Sequence, residues 1–224
     1  MKIELWHGSS SIIEKPIFGF GKSNNDYGIG FYCTQESELA KEWACPDDTD
    51  GYANHYAFET NQMKILNLSS DEYSILSWLA LLVNNRQFQA TSPVGTQGIE
   101  YLREQFLPDI SGYDAIVGYR ADDSYFSFAR AFVNNTISVD QLAQAMRLGK
   151  LGEQFVLKSE KAFKALKFLG YEEAPSNVYY VMRKSRDDEA RNAYSKSARS
   201  TSLDGLFMRD IIRERVKNDD KRLR

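Results

Sequence analysis

Short strand-like segments alternate with helix-like segments through most of this sequence, and that mixture constrains the fold more than any other feature. Alternating or β-branched patterns predict strands at Ile3–Trp6, Phe31–Cys33, Tyr56–Glu59, Met63–Leu68, Tyr113–Tyr119 and Gln154–Lys158. Helical periodicity predicts helices at Gln35–Ala44, Asp71–Asn84, Ile99–Phe106, Ser124–Val133, Val139–Leu148 and Ser159–Phe168. The sequence therefore predicts an α+β fold whose body mixes sheet and helices.

The connections between these elements carry expectations of their own. The turn-prone segment Thr60–Gln62 separates two strand patterns, which predicts a β-hairpin. Gly8 ends the first strand pattern, so His7 is expected where strand becomes loop. Residues 9–25 are rich in Ser, Gly and Asn and show no regular pattern. A loop of that length is often functional.

Nothing in the sequence predicts a membrane span or an export signal. The longest apolar run, Ile75–Val83, contains Ser77 and is far shorter than the roughly 20 residues that cross a bilayer, so it predicts a core helix. The opening residues MKIELWHGS lack the apolar region of a signal peptide. We therefore expect a cytoplasmic protein. Cys33 and Cys45 are then reduced thiols, because two cysteines without CxxC spacing form neither a disulfide framework nor a zinc site.

Charge divides the chain into two parts. Residues 183–224 contain 13 Lys and Arg against 8 Asp and Glu, whereas the rest contains 15 against 23, so net charges of +5 and -8 give the total of -3. The chain also changes character after Pro175, which predicts a body of residues 1–174 and a basic helical extension of residues 175–224. Within this extension, helices are predicted at Asp187–Lys196 and Leu206–Lys217. That extension could bind a phosphate backbone or dock on the acidic body.

Two segments near the N-terminus combine residue types that bind ligands. LWHGS (Leu5–Ser9) places a histidine beside a glycine, and DYGIGFYCTQESELAKEWA (Asp26–Ala44) places glycines among aromatics ahead of a helix. Glycine lets a ligand approach the main chain, and aromatic faces stack on planar rings. Taken singly, each is ordinary: a histidine after a strand is usually satisfied locally, and a single GxG is a weak fingerprint.

These segments, together with GEQFVLKSEKA, resemble the diphtheria-toxin-like and PARP-like ADP-ribosyltransferases, whose split NAD⁺ site uses His, Tyr and Glu on three strands. The closer resemblance is to small bacterial proteins with that fold, long listed as of unknown function. Their pattern has four parts, which match this chain at Leu5–Ser9, Asp26–Ala44, Tyr113–Asp123 and from Gln154 onward. The resemblance implies an ADP-ribosyltransferase-like split β-sandwich with flanking helices.

The resemblance also implies an NAD⁺ site, with NAD⁺ as co-substrate and no metal. It would involve His7, Gly8, Ser9, Tyr27, Gly28, Gly30, Phe31, Tyr32, Trp43 and Gln154. His7 would bind the 2′-hydroxyl of the adenosine ribose, and the Gly8 backbone would hold the nicotinamide amide. Tyr32 and Trp43 would flank the nicotinamide ring.

Smaller roles follow from the same resemblance. Gly28 and Gly30 would permit the turn that brings Tyr32 under the ring, and Ser9 would add a hydroxyl contact.

The chain departs from active transferases at one position. A glutamate usually holds the nicotinamide ribose in this fold, but here Gln154 stands there, and an amide supplies no full negative charge. Glu153 should point to the opposite face of the strand. Asp122 and Asp123 are therefore alternative catalytic carboxylates, although an Asp pair in a loop also suits a turn or a helix N-cap before Ser124.

Several functions stay open at this stage. The first is an ADP-ribosyltransferase that modifies a macromolecule, with RNA preferred because related toxins of toxin-antitoxin-chaperone systems modify RNA. The others are a protein-modifying transferase, a non-catalytic NAD⁺ or ADP-ribose binding module, and an NAD glycohydrolase. The resemblance to anti-phage defence toxins also implies an antitoxin and a chaperone as partners.

The basic extension offers two competing surfaces. An RNA could contact Arg183, Lys184, Arg186, Arg191, Lys196 and Arg199, with a base stacked on Tyr194. Alternatively, the apolar helical side of Leu206–Val216 could dock a protein such as an antitoxin.

Overall fold

The computed structural model of this protein describes residues 1–121, 123–148, 152–199 and 205–223. Within them, the strands are β1 (Lys2–Ser9), β2 (Phe31–Cys33), β3 (Gly51–Glu59), β4 (Ile65–Asn67), β5 (Ala115–Tyr119), β6 (Glu153–Leu157) and β7 (Leu166–Ala174). The α-helices are α1 (Ser37–Ala44), α2 (Ile75–Asn85), α3 (Pro93–Gln105), α4 (Asp123–Val133), α5 (Val139–Leu148), α6 (Glu160–Lys164), α7 (Ser176–Arg199) and α8 (Met208–Glu214). The predicted α+β class is confirmed.

The strands form two sheets. The first has the order β1-β3-β7 and is antiparallel. The second has the order β2-β6-β5-β4, in which β4 and β5 are parallel and the other pairs antiparallel. One core cluster lies where the sheets face each other, and it includes Leu5, Tyr56 and Phe58 from the first sheet with Phe31, Phe155 and Leu157 from the second.

A second, larger core cluster joins the other face of the four-stranded sheet to the helices. It combines Ile116 and Val156 of that sheet with α2, where every residue from Leu76 to Val83 is buried. The prediction of a core helix there is confirmed, and burying each large apolar side chain stabilises the fold by about 1.5–3 kcal/mol. In the described part of the chain, no helix is both long and apolar enough to cross a membrane.

The predicted hairpin around Thr60–Gln62 is wrong. A turn does form, with the amide of Met63 donating to the carbonyl of Thr60 at 3.1 Å and Gln62 at a φ of +64°. However, β3 and β4 on either side of it belong to different sheets. The turn therefore carries the chain from one sheet to the other.

Two further predicted boundaries are corrected. β1 continues through Gly8 to Ser9 because its whole length pairs with β3, so His7 lies inside a strand. The predicted helix Ser159–Phe168 ends at Lys164; at its beginning, the Ser159 hydroxyl caps α6 by accepting from the amide of Ala162 at 3.1 Å. The chain then enters β7, whose pairing with β3 overrides the local helical pattern.

The extension after residue 174 packs on the body. α7 is one helix of 24 residues, longer than the predicted Asp187–Lys196. In the predicted helix Leu206–Lys217, Met208, Ile211 and Val216 are buried in the helical core cluster. The apolar side of α8 therefore faces the protein's own interior, and it does not form a free docking surface.

Candidate functional site

The candidate site lies where the two sheets meet and then separate. Trp6 in β1 and Thr34 after β2 exchange two backbone hydrogen bonds, of 2.7 and 2.9 Å, and form an isolated bridge. Continuing that antiparallel register would place Gly8 opposite Tyr32. Instead, the two strands go to different sheets, and the His7 side chain reaches across to Tyr32. We call the region where β1 and β2 separate, beyond the Trp6–Thr34 bridge, the slot.

His7 is held in one orientation and one tautomer. Its Nδ1 lies 2.6 Å from the Tyr32 carbonyl oxygen, and its ring stacks on Phe31 with centroids 4.3 Å apart. Because a carbonyl can only accept, the proton must be on Nδ1. Burial lowers the pKa of His7, which favours the neutral ring. The Nε2 atom therefore keeps a lone pair and can accept a hydrogen bond from a ligand hydroxyl.

Gly8 is required for a reason that the sequence did not indicate. A side chain at this position would meet the Ala40 carbonyl and would come within 2.7 Å of the Ala44 amide nitrogen, because α1 lies directly on β1. On the side where a Cβ would lie, Gly8 faces the backbone of α1. Ligand access to the main chain, the expected reason for a glycine, therefore does not apply on that side. Since Trp6 directs its peptide groups toward β2, alternation directs those of Gly8 the same way, toward the slot.

The loop before β2 is fixed by its own hydrogen bonds. The Tyr32 hydroxyl donates to the Gly28 carbonyl at 2.6 Å and accepts from the Tyr27 amide at 3.1 Å. The Lys158 ammonium donates to the carbonyls of Tyr27, at 2.6 Å, and of Ile29. Gly28 has a φ of +72°, which only glycine adopts without strain. This loop is therefore held in one conformation beside the slot.

Gly30 serves packing. A Cβ there would lie 2.7 Å from the Val156 methyl carbon, so β6 passes directly beneath it. Ser9, at the end of β1, uses its hydroxyl to accept from the Ser11 amide at 3.2 Å.

Two aromatics expected to touch NAD⁺ are core residues. Tyr27 is 1% exposed, and its hydroxyl donates to the Tyr119 carbonyl at 2.6 Å. Phe31 is buried between the sheets and packs edge-on against Tyr56. In this structure both are buried residues that pack next to the candidate site, Phe31 against His7 and Tyr27 against Tyr32.

A buried carboxylate that the sequence analysis missed connects the loop to β5. Asp26 accepts from the Ala121 amide at 2.8 Å and from the Arg86 guanidinium at 3.2 Å, while Arg86 also donates to the Ala121 carbonyl. Burial raises the pKa of Asp26, and the hydrogen bond from Ala121 partly opposes that rise. The only sequence signal was the aspartate that opens the DYGIG segment.

Trp43 stands on α1 and is half-buried. The guanidinium of Arg120, which follows β5, lies 4.4 Å from the centroid of its ring. No ring contact joins Trp43 to Tyr32 among the side chains that the structure describes. The proposed nicotinamide sandwich therefore requires space between these two rings, and Arg120 already covers one face of Trp43.

Gln154 is the most unusual polar group of the site. It lies in β6 opposite Gly118 and is 6% exposed, yet its Oε1 has no hydrogen-bond partner in the described structure. Tyr32 pairs with Val156, two residues further along β6, so alternation places Tyr32 and Gln154 on the same face of the sheet. Leaving a buried acceptor unpaired costs about 1–3 kcal/mol, which a ligand donor would recover.

The alternative carboxylates have different positions. Asp122 lies outside the described residues, and Asp123 begins α4, with its side chain outside what the structure describes. Glu153 is exposed, in agreement with the expectation that it faces away from Gln154.

The C-terminal extension is tied to the helix that carries Trp43. Glu42 in α1 is 2% exposed, and both of its oxygens accept from Arg186 of α7, at 2.9 and 2.6 Å. Lys41 pairs with Glu172 of β7 at 2.7 Å. The extension thus docks on the body, one of the two roles that the sequence left open.

This docking occupies two side chains that were candidates for RNA contact. Arg186 is bound to Glu42 and Tyr194 stacks on Phe128 with centroids 4.4 Å apart, whereas Arg191 pairs with Asp187 within α7 itself. The side chains of Lys196 and Arg199 lie outside the described structure.

Comparison with known proteins gives one match. Residues 3–168 match the family described as Protein of unknown function (DUF3990), which covers the body but not the extension. No curated protein and no solved structure matches the sequence.

Proposed function

We propose that this chain, which belongs to the DUF3990 family, is an NAD⁺-dependent ADP-ribosyltransferase that modifies a macromolecule, with RNA as the preferred acceptor. The observation that carries the proposal is the buried, unpaired Oε1 of Gln154, on the same face of its sheet as Tyr32. His7 on β1 offers a second acceptor, Nε2, because its Nδ1 donates to the Tyr32 carbonyl. A dinucleotide carries ribose hydroxyls at both ends, and each can donate to one of these atoms.

The arrangement of the strands that carry His7, Tyr32 and Gln154 supports the proposal. The resemblance implied a split β-sandwich with His, Tyr and the Glu or Gln position on three strands. These residues lie on β1, β2 and β6, and the strands meet around the slot. The ADP-ribosyltransferase-like fold is thus part of the proposal.

The residues of this chain would act mainly by binding and orientation. Tyr32 and Trp43 would fix the plane of the nicotinamide, the Gly8 peptide would hold its amide, and His7 would hold the adenosine ribose. Nicotinamide leaves with the electron pair of the C1′–N bond, and the acceptor forms the new bond to C1′ as it loses a proton. Gln154 would hold the ribose by hydrogen bonding and add no full charge.

The wider role follows from the resemblance. As the toxin of an anti-phage toxin-antitoxin system, the chain would be held inactive by a cognate antitoxin and assisted by a chaperone. The same reasoning would place it in the cytoplasm.

The second candidate is a non-catalytic module that binds NAD⁺ or ADP-ribose. The specific observation in its favour is again Gln154, because an amide satisfies a ribose hydroxyl without stabilising the positive charge that develops on the ribose as nicotinamide leaves.

One experiment separates these functions. The purified chain is incubated with NAD⁺ carrying an isotope label in its adenosine, together with total RNA and protein, and both label transfer and free nicotinamide are measured. Label on RNA, lost in His7→Ala and Gln154→Ala, is the expected result. Label on protein would change the acceptor, and nicotinamide without label would indicate a glycohydrolase. NAD⁺ binding by calorimetry with neither signal would leave the binding module.

A further inference from the structure

The loop between β1 and β2 exposes aromatic side chains to solvent. We call residues 15–22, KPIFGFGK, the aromatic loop. Phe20 is 82% exposed, Ile17 68% and Phe18 47%. Gly19, with a φ of +77° and no atom within 4 Å of a Cβ built on it, forms the turn at its centre. Apolar exposure concentrated in one short loop is typical of an interaction site.

A hollow of about 790 Å³ lies beneath this loop. Its apolar walls include Phe18, Phe163 and Phe168. Its charged lining is formed by Lys15, Lys164, Lys167, Glu14 and Glu160. Lys164 lies 3.4 Å from Glu160, so that pair is neutral, and two lysines then face one glutamate. The size falls within the roughly 300–1,000 Å³ of sites for small organic groups.

The hollow lies close to the candidate site. The ring of Phe18 meets that of Phe163 at 5.5 Å, Phe163 lies 6.1 Å from Phe31, and Phe31 stacks on His7 at 4.3 Å. A row of four rings therefore leads from the aromatic loop to the residue at the border of the slot. Packed side chains therefore connect the aromatic loop to the candidate site.

We propose that the aromatic loop and its hollow bind single-stranded RNA, with bases stacked on Phe20 and Phe18 and phosphates held by Lys15 and Lys22. Proteins that bind single strands combine exposed aromatic faces with basic residues beside them. Both ends of the loop are exposed lysines, whereas on α7 the Arg186 guanidinium is bound to Glu42 and the Tyr194 ring is stacked on Phe128. That the bound RNA is the acceptor rests on the proposed function.

Binding is measured without NAD⁺, by fluorescence anisotropy of a labelled 12-nucleotide RNA of mixed sequence. Phe20→Ala should weaken binding about tenfold, because each stacked base contributes about 1–3 kcal/mol. Lys22→Gln should lower the slope of log affinity against log salt by about 1. Both side chains are exposed, so the fold should be unaffected. The control is Arg191→Gln on α7, which should leave binding unchanged.

The possible results distinguish RNA binding by the aromatic loop from its alternatives. Absence of RNA binding would overturn the proposal and favour a protein partner for the apolar loop. Binding that survives Phe20→Ala but weakens in Arg191→Gln would place RNA on α7 instead, and equal affinity for duplex RNA would exclude stacking. RNA binding without transfer of ADP-ribose would contradict only the proposed function.

Discussion

Arg186 of α7 donates two hydrogen bonds to the buried carboxylate of Glu42, and this ion pair fixes the helix that carries Trp43 against the C-terminal extension. The family match ends at residue 168, so one partner lies within the matched region and the other beyond it. The extension therefore contributes to the geometry of the candidate site without lining it.

Arg186→Gln should destabilise the protein by about 2–3 kcal/mol, measured by urea unfolding. Glu42 would remain buried without a charge partner, but Arg186 is itself a quarter exposed, so the loss is below the 3–5 kcal/mol of a fully buried pair. Adding Glu42→Gln should recover part of it. Arg191→Gln, which removes an exposed pair, should lower the free energy of unfolding by less than about 0.5 kcal/mol. An equal loss of stability for both arginine variants would show that the Arg186–Glu42 pair contributes no more than a surface pair.

Gly8→Ala should destabilise the fold by about 3 kcal/mol or prevent folding, because its methyl group would meet the backbone of α1, which cannot yield like a flexible side chain. Gly112→Ala is the matched control, since no atom lies within 4 Å of a Cβ at that position. Thermal unfolding of both variants provides the measurement. A stable Gly8→Ala protein would show that α1 can move away from β1.

Gln154→Leu should separate stability from ligand binding. The change removes a buried acceptor that lacks a partner, so the free energy of unfolding should stay the same or rise by about 1 kcal/mol. NAD⁺ affinity, measured by calorimetry, should fall, because the ribose hydroxyl loses its acceptor. A stabilised variant that binds NAD⁺ as well as the parent would show that Gln154 does not contact the nucleotide.

The stability of the protein should fall as the pH decreases from 6.5. Burial lowers the pKa of His7 in the folded state below its ordinary value of 6.5, so the unfolded chain binds the extra proton first. The contribution of His7 to stability is complete above pH 6.5 and decreases between that value and the folded pKa. Urea unfolding at pH 5.5 and 7.5 measures it.

His7→Gln, which cannot take up a proton in this range, supplies the comparison. It should show a smaller loss of stability between the two pH values than the parent protein does. Equal losses would mean that other groups cause the pH dependence.

Local signals in the sequence predicted much of the body. The helix of Ile75–Val83 and the strand of Phe31–Cys33 have patterns that a short window reveals, and both are present. The hairpin at Thr60–Gln62 failed because local alternation does not determine which sheet a strand joins. The end of α6 was missed for a related reason, since β7 depends on pairing with β3 more than 100 residues earlier in the chain.

The residue types of the candidate site were predictable from the sequence, but the burial and contacts of each residue were not. The structure brings His7 into contact with Tyr32, whereas Tyr27 and Phe31 are buried residues that pack next to them. Burial and hydrogen-bond partners depend on the folded neighbours of a side chain, and aromatic residues near glycines look alike in sequence. Asp26 escaped notice because its partners, Arg86 and Ala121, are distant in the chain.

The pairing of β2 with β6 has a consequence for the timing of biosynthesis. Tyr32 and Val156 are 124 positions apart, and the Arg186 that fixes α1 is made later still. The ribosome therefore synthesises β6 well after β2, and contacts between residues this distant in sequence form slowly. A nascent chain that stops before Arg186 lacks part of the slot or the Arg186–Glu42 pair, so the proposed NAD⁺-consuming activity would be absent until Arg186 has been synthesised.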